Sequence, residues 1–575
     1  MKLCENGSSP ARIVISRAAS PGTRYAAEEL AKYLKAASGA VFPVVTDDSP
    51  PEEREIVLGR TGRAGTPPAG PLKNDGYILR TAGGKLFLTG ENERGDVYAV
   101  YGFLERKLGF RFYTPSLEKI PRADTLEIPE TDEEVIPPFA YRSTSWNGVA
   151  SDPVFALKRG MSNVRGTPVT PVLPHSLCHT FFRFVSPDEY FDTHPEYFSM
   201  VNGRRVRDRT QLCLTNPDVL AITVRKLKET IRQNPECRFF SVSQMDWYNP
   251  CECPACRRID EEEESHMGTV LRFVNACADA VADEFPDVWI ETLAYQYTRR
   301  PPKITRPSRN VCVCLCSIEC CFTHPMRSCR VPVRPFRHLV DWDHPFQEDL
   351  EGWGKIAENL FVWDYTTNFR FYLTPNVNLH VLQDNIRYFL ENGVTCLFEQ
   401  GNSQARSGEF GELRTYLLTR LMWEPEGDVR GWTDEFLEAY CGAGAKAVRR
   451  YIDLLADHVT RHGVHAGIYD NPMDVIPDTM LPELTACFDE AARMTEDDPA
   501  AAERVDRCRL QLEFLKHHRR LPSAEDFAEE AEKLIAKIRR HGIERIQESS
   551  DLETSFAQIR KGDLPDSWEV FWKPF

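Results

Sequence analysis

Phe239-Phe240-Ser241-Val242-Ser243-Gln244-Met245-Asp246-Trp247-Tyr248-Asn249-Pro250-Cys251-Glu252-Cys253-Pro254-Ala255-Cys256 decides the fold. It opens as a short apolar run, the pattern of a strand walled in on both faces. The run passes into a polar, aromatic tip that carries a carboxylate, Asp246. A cysteine cluster follows, and then Val270, Val274, Cys277 and Val281 recur at helical spacing, one apolar stripe facing a sheet. Strand, polar tip and helix in succession describe the ligand-facing rim of a parallel α/β sheet or barrel.

Working outward, strand-like runs alternate with helical patterns from Phe139 onward. The runs are 140–144, 161–164, 211–215, 239–243, 289–295, 311–317, 360–364 and 395–398. Together they supply the strand count that closes a parallel barrel. The segment 171–209 is too long for a simple loop and is expected to fold over the mouth. Upstream, 121–138 is acidic and Pro-containing and reads as a linker. Before it, residues 1–130 alternate strands, a Gly-Gly hairpin and two helices, a small α/β unit. Beyond about residue 425 the strands stop and 432–459, 481–495, 501–517 and 524–541 are helical in pattern. The tail aromatics Trp568, Phe571, Trp572 and Phe575 are expected to dock back onto the body. The expected fold class is therefore α/β: a (β/α)8 TIM-type barrel over 137–424, preceded by a small α/β sandwich domain (1–130) and followed by an α-helical domain (425–575).

At 575 residues the chain exceeds a single core. A net charge of -16 excludes nucleic acid, whose phosphates require a basic face. No apolar run approaches the ~18 residues that span a bilayer, so no membrane partner is expected. The first residues lack the apolar region of a signal peptide. The 18 cysteines fall mostly inside apparent strands and helices, as reduced thiols do in a reducing compartment, so the cytoplasm is the expected location. The oligomeric state is not written in the sequence.

Catalytic groups of a barrel sit where strands end. The strand ends here carry Trp146 and Asn147, Asp246 and Trp247, Tyr295, Glu319, Asp364 with Tyr365 and Asn368, and Glu399 with Gln400 and Asn402. Aromatic faces that pack on sugar C–H groups, with amides and carboxylates for hydroxyls, make up a carbohydrate site. No Gly-rich phosphate turn is present. Glycosidic cleavage needs two carboxyl groups, or one and a substrate group acting for the second. Asp246 and Glu399 are the favoured catalytic pair, with Glu319 in reserve. A uronic-acid substrate would require a cation at the mouth, for which Arg142, Arg299 and Arg370 are candidates. His175 and His179, at i and i+4, are read as substrate-binding, and His324 as a rim or turn residue. Cys251, Cys253 and Cys256 form C-x-C-x-x-C, which would hold a structural zinc given a fourth ligand; catalysis itself requires no cofactor.

Two resemblances accompany these readings. Tyr25-Ala26-Ala27-Glu28-Glu29-Leu30, Gly59, Asp75-Gly76-Tyr77 and Arg94-Gly95-Asp96-Val97-Tyr98-Ala99-Val100-Tyr101 resemble the ancillary domain that precedes the barrel in α-glucuronidases and β-hexosaminidases. His175, His179, His194-Pro195-Glu196-Tyr197-Phe198, Gln211 to Pro217, Asp246 with the cysteine cluster, Cys316 to Pro325, Trp363-Asp364-Tyr365 and Phe398-Glu399-Gln400-Gly401 follow in order. This series resembles the domain of unknown function 4838 family, part of which is classed as glycoside hydrolase family 163. That resemblance implies an endo-β-N-acetylglucosaminidase-like enzyme acting on glycans with substrate-assisted retention. The alternatives are an α-glucuronidase-like hydrolase and a non-catalytic carbohydrate-binding protein on the same scaffold.

Overall fold

The computed structural model describes residues 1–67, 70, 72–331, 344–406 and 409–563. The chain divides into two units, Met1–Val172 with Glu412–Tyr440, and Leu173–Gly411 with Cys441–Phe575. The tail aromatics Trp568, Phe571, Trp572 and Phe575 lie outside the described residues.

In the first unit, the helix Pro21–Ser38 starts where the Ser20 hydroxyl accepts from Thr23 N and Pro21 supplies the first-turn φ, and it stops at left-handed Gly39. The helix Glu93–Leu108 is capped the same way by Asn92 and Gly109. A mixed sheet runs Asp132–Val135, Tyr77–Ala82, Lys85–Gly90, Glu55–Leu58, Arg12–Ile15, Val44–Thr46 in spatial order. A Cβ on Gly90 would lie 2.1 Å from the Gly95 carbonyl carbon, so helix and strand meet there only because both residues are glycine. Asp75 joins this unit internally: its carboxylate receives Arg94 and the fully buried Arg142 at 2.6 and 2.9 Å.

The segment 121–138 is not a free linker. Leu126–Glu127 pairs with Lys2–Cys4, and Asp132–Val135 forms the sheet edge against Tyr77–Arg80. Its acidic residues are those of a charged edge strand, with Asp132 on Arg80 and Glu133 on Arg106 and Lys107.

The second unit carries the parallel strands. Leu173–Ser176, Cys237–Ser241, Trp289–Ala294, Val311–Cys316, Leu360–Tyr365 and Val394–Gln400 each pair in parallel with the next in sequence. This singly wound order is that of a curled β/α sheet, with every strand's C-terminal end on one rim. The chain is thus α/β, as the strand–helix alternation implies. Two of the eight runs are not strands. Residues 161–164 form no ladder: Met161 N donates to Ala156 O in a turn, and Ser162 N makes a single long-range bond to Arg142 O in the strand Tyr141–Thr144. Residues 211–215 make a single bridge, Phe198 to Leu212, before Asn216 caps the helix Pro217–Gln233. In their place Leu173–Ser176 is a strand; its Pro174 is tolerated because it lies at the sheet edge. The run at 140–144 is the strand Tyr141–Thr144, in the first unit.

The C-terminal helices of this unit pack through Leu510, Phe514, Leu534, Ile538, Phe556 and Ile559 around Phe371 and Leu373, from the loop after Leu360–Tyr365. Tyr372 N donates to Ile546 O and Glu548 N to Phe369 O, both at 2.9 Å. The residues around 546–548 are thereby anchored to the strand rim.

Candidate active site

Asp246 lies five residues beyond the strand Cys237–Ser241, on a loop with its own clamp. The buried Gln211 amide donates to Met245 O at 2.8 Å and to Trp247 O at 2.5 Å, while its carbonyl accepts from Met245 N at 2.8 Å. Three bonds from one side chain hold the backbone on both sides of Asp246, which fixes the aim of its carboxylate. The Tyr295 hydroxyl donates to Asp246 Oδ1 at 3.1 Å. His179 Nε2 stands 3.8 Å from the same oxygen. His179 has a left-handed backbone, φ 55°, and Thr180 N and Phe181 N both donate to Ser243 O. Its Nδ1 lies 2.9 Å from Gln244 O. A carbonyl only accepts, so Nδ1 carries the proton and Nε2 faces the carboxylate.

The Asp246 side chain is 44% exposed. Desolvation by the surrounding protein pushes its pKa up, opposed by His179 and by the Tyr295 hydroxyl. The Asp246 charge is felt by Tyr295, Tyr365, Tyr469 and Glu548, whose hydroxyls and carboxyl are all pushed up, chiefly by burial. Glu548 is raised to about 7, with Arg545 opposing the shift. The Glu548 carboxyl thus lies within reach of the Asp246 charge.

Glu399 is placed elsewhere. Strand side chains alternate between faces, and Trp363, Tyr365 and Gln400 share one: Trp363 Nε1 donates to Gln400 Oε1 at 2.7 Å, and the Trp363 and Tyr365 rings stack. Asp364 and Glu399, paired in register, point to the opposite face and are both buried. Ser317 Oγ donates to Asp364. Burial and the Asp364 charge push Glu399 well above the carboxylate range, so Glu399 keeps the proton and hydrogen-bonds to Asp364. Glu319 is likewise committed: it is buried on Arg299 at 3.3 Å, and Arg299 also binds Asp349. Asp246 is thus not brought beside either of the carboxylates singled out with it.

Of the remaining residues, His175 stacks on Phe240 with centroids 5.5 Å apart and lies in the strand Leu173–Ser176. Trp247 turns tightly back, its N donating to Met245 O. Asn368 shapes the rim loop, donating to Asp470 O and accepting from Phe371 N. Asn402 accepts from Gln404 N and Ala405 N, a turn role. Trp146 and Asn147 belong to the first unit, where the Arg414 guanidinium covers the Trp146 ring at 5.2 Å.

Cys213 joins the cysteine cluster. The four sulfurs of Cys213, Cys251, Cys253 and Cys256 lie within 4.8 Å of one another and are buried, with Cys213 3.7 Å from Cys253 and 4.0 Å from Cys256. A second group, Cys321, His324, Cys329 and His465, gathers equally closely. Sequence reasoning quoted Gln211 and Cys213 only within the 211–215 run and the family-like series and gave neither a role, and it did not single out Tyr469 or Glu548. Tyr469 and Glu548 come from beyond the last strand, and no local pattern connects them to the rim.

Residues 112–453, more than half of the chain, match the family described as domain of unknown function 4838, and the chain belongs to that family. Residues 3–103 match the glycosyl hydrolase family 67 N-terminus. No curated protein matches the chain in sequence. Among solved structures, the chain is similar to a family GH115 4-O-methyl-α-glucuronidase with specificity for decorated arabinogalactans, at 11% identity and a TM-score of 0.58, covering 94% of this chain and 77% of that one. It is also similar to a GH20 β-N-acetylhexosaminidase from Streptomyces coelicolor, at 12% identity and a TM-score of 0.44, covering 76% and 91%. Among the described residues no helix is long and apolar enough to cross a membrane.

Proposed function

We propose that this protein is a glycoside hydrolase acting on a glycan, with Asp246 at the centre of its cleft and Glu548 as its general acid. The observation that carries the reading is the Asp246 carboxylate, clamped by Gln211, bonded to Tyr295 and facing His179. Glu548, raised to about 7, has the proton affinity a general acid needs at neutral pH. Asp246, steadied in its ionised form by the Tyr295 hydroxyl, would orient and polarise a 2-acetamido group that attacks the anomeric carbon, or stabilise the positive charge developing there. An N-acetylhexosaminide is therefore the favoured substrate class, cleaved with retention. Of the cations that a uronic-acid substrate would require, Arg142 is spent on Asp75 and Arg299 on Asp349 and Glu319, which leaves Arg370 as the candidate for that alternative. The 18 free thiols suit a reducing compartment. The four sulfurs at Cys213, Cys251, Cys253 and Cys256 make a ligand set for a structural zinc close to the Asp246 loop.

The experiment is hydrolysis over a panel of aryl β-N-acetylhexosaminides, α-glucuronides and N-glycans. Cleavage of an N-acetylhexosaminide or N-glycan supports the reading. Cleavage of glucuronides alone moves the substrate to the uronic class. Binding of glycans without any turnover makes the protein a carbohydrate-binding module.

A further inference from the structure

His324 sits in a turn that sequence reading left without a task, and the fold gives it three partners. Cys321, His324 and Cys329 lie beyond the strand Val311–Cys316, whereas His465 arrives from beyond the helix Ala445–His462. His465 Nδ1 lies 3.3 Å from the Cys321 sulfur and 3.4 Å from that of Cys329. His324 Nδ1 lies 3.5 Å from the Cys321 sulfur, and the two imidazole centroids are 4.3 Å apart. A tetrahedral zinc bonded at about 2.3 Å to sulfur and about 2.0 Å to nitrogen has S···N edges of roughly 3.5 Å. The donor spacings match those edges. Two thiols and two imidazoles from two separate segments converge on one point, as they do around an ion.

We infer that Cys321, His324, Cys329 and His465 bind a zinc ion that staples residues 464–470 to the strand rim. Cys321 is buried while His465 is exposed, so the ion has both a fixed floor and an entry path. The surrounding backbone is already knit, with Phe322 N on Ala466 O and the Thr323 hydroxyl on Val464 O, at 2.8 and 2.7 Å. Outside the ligands, His380 Nε2 bonds to Thr323 O at 3.1 Å and steadies the turn between two of them. Four residues beyond His465 stands Tyr469, one of the rings that feel the Asp246 charge. Metal binding stands independently of the reaction assigned above; its effect on the cleft rests on that reading.

The test is metal content of the full chain, reduced, supplemented with zinc and desalted. His465→Ala and Cys329→Ser, at half-buried or exposed positions, are compared with Cys253→Ser in the other cluster. Each of the first two is expected to lose one zinc equivalent relative to the parent, with the equivalent lost in Cys253→Ser being a separate one. If a variant fails to fold, as read by circular dichroism, His324→Ala replaces it. Cobalt substitution provides a second readout: His465→Ala should abolish the mixed sulfur–nitrogen cobalt spectrum. Equal zinc content in the parent, His465→Ala and Cys329→Ser overturns the proposal. So does recovery of Cys321 and Cys329 as a disulfide from the zinc-supplemented, reduced protein.

Discussion

Replacing Tyr295 by phenylalanine removes one hydroxyl and leaves the ring, which is buried and packs against His179 with centroids 6.0 Å apart. The lost bond, 3.1 Å to Asp246 Oδ1, favours the ionised carboxylate. A hydrogen bond to a charged group is worth about 1.5–3 kcal/mol. With the Asp246 side chain 44% exposed, water screens and partly replaces that bond, so the low end applies. About 1.5 kcal/mol corresponds to roughly one pKa unit, upward, because the charged form loses its donor. The acid limb of kcat/KM should then move about one unit to higher pH in Tyr295→Phe. The rate on the plateau should fall roughly tenfold or less. The assay is a pH–rate profile on whichever substrate the parent cleaves, with melting measured alongside. An acid limb that stays in place, in a folded variant, refutes the idea that Tyr295 tunes an essential Asp246.

The remaining predictions concern the other carboxyls. Glu548→Gln cannot give up a proton, so it should lose on the order of 100-fold in turnover and with it the fall in rate above about pH 7 that Glu548 ionisation causes; a parent-like profile contradicts the acid role. Glu399→Gln mimics the protonated acid that Asp364 already holds, and turnover within about threefold of the parent is expected, where a loss comparable to Glu548→Gln would place Glu399 in the reaction. Glu291 is fully buried in the sheet and raised to about 8, so the folded state holds a proton that the unfolded state gives up above about 4.5. Stability therefore falls as pH rises between those values, and Glu291→Gln should flatten that slope in a series of urea melts, with a gain at pH 8 on the order of 3–5 kcal/mol at most. An unchanged slope would mean that Glu291 is ionised in the folded state as well as the unfolded one, and would contradict the burial argument.

The rim was legible because strand, tip and helix are local patterns. Asp246 stands out as a candidate from Phe239–Ser243 alone, and Tyr295 and Tyr365 from the ends of equally clear runs; the structure sets Tyr295 on Asp246. Glu399 ends an apolar run, but strand side chains alternate, and whether position 399 or 400 shares a face with Trp363 and Tyr365 depends on a register that only pairing sets. Residues 161–164 and 211–215 misled because short apolar runs look alike whether their amides join a continuous ladder or make single bonds to Arg142 O and Tyr197 O. Leu173–Ser176 was hidden by its proline. Glu548 and Tyr469 were not legible at all, since their position depends on helices docking around Phe371 and Leu373. Cys213 lies 38 residues from Cys251 along the chain, yet it completes a ligand set whose other members sit within one turn of each other.

The most direct test of the account is the turnover of Asp246→Asn beside the parent enzyme, on a panel of aryl β-N-acetylhexosaminides and N-glycans, at equal melting temperature. Asparagine keeps the shape and the Tyr295 contact but removes the charge. The account predicts that the parent cleaves at least one of these substrates and that Asp246→Asn cleaves it on the order of 100-fold or more slowly. A folded Asp246→Asn variant that turns over the same substrate at near-parent rate would contradict it.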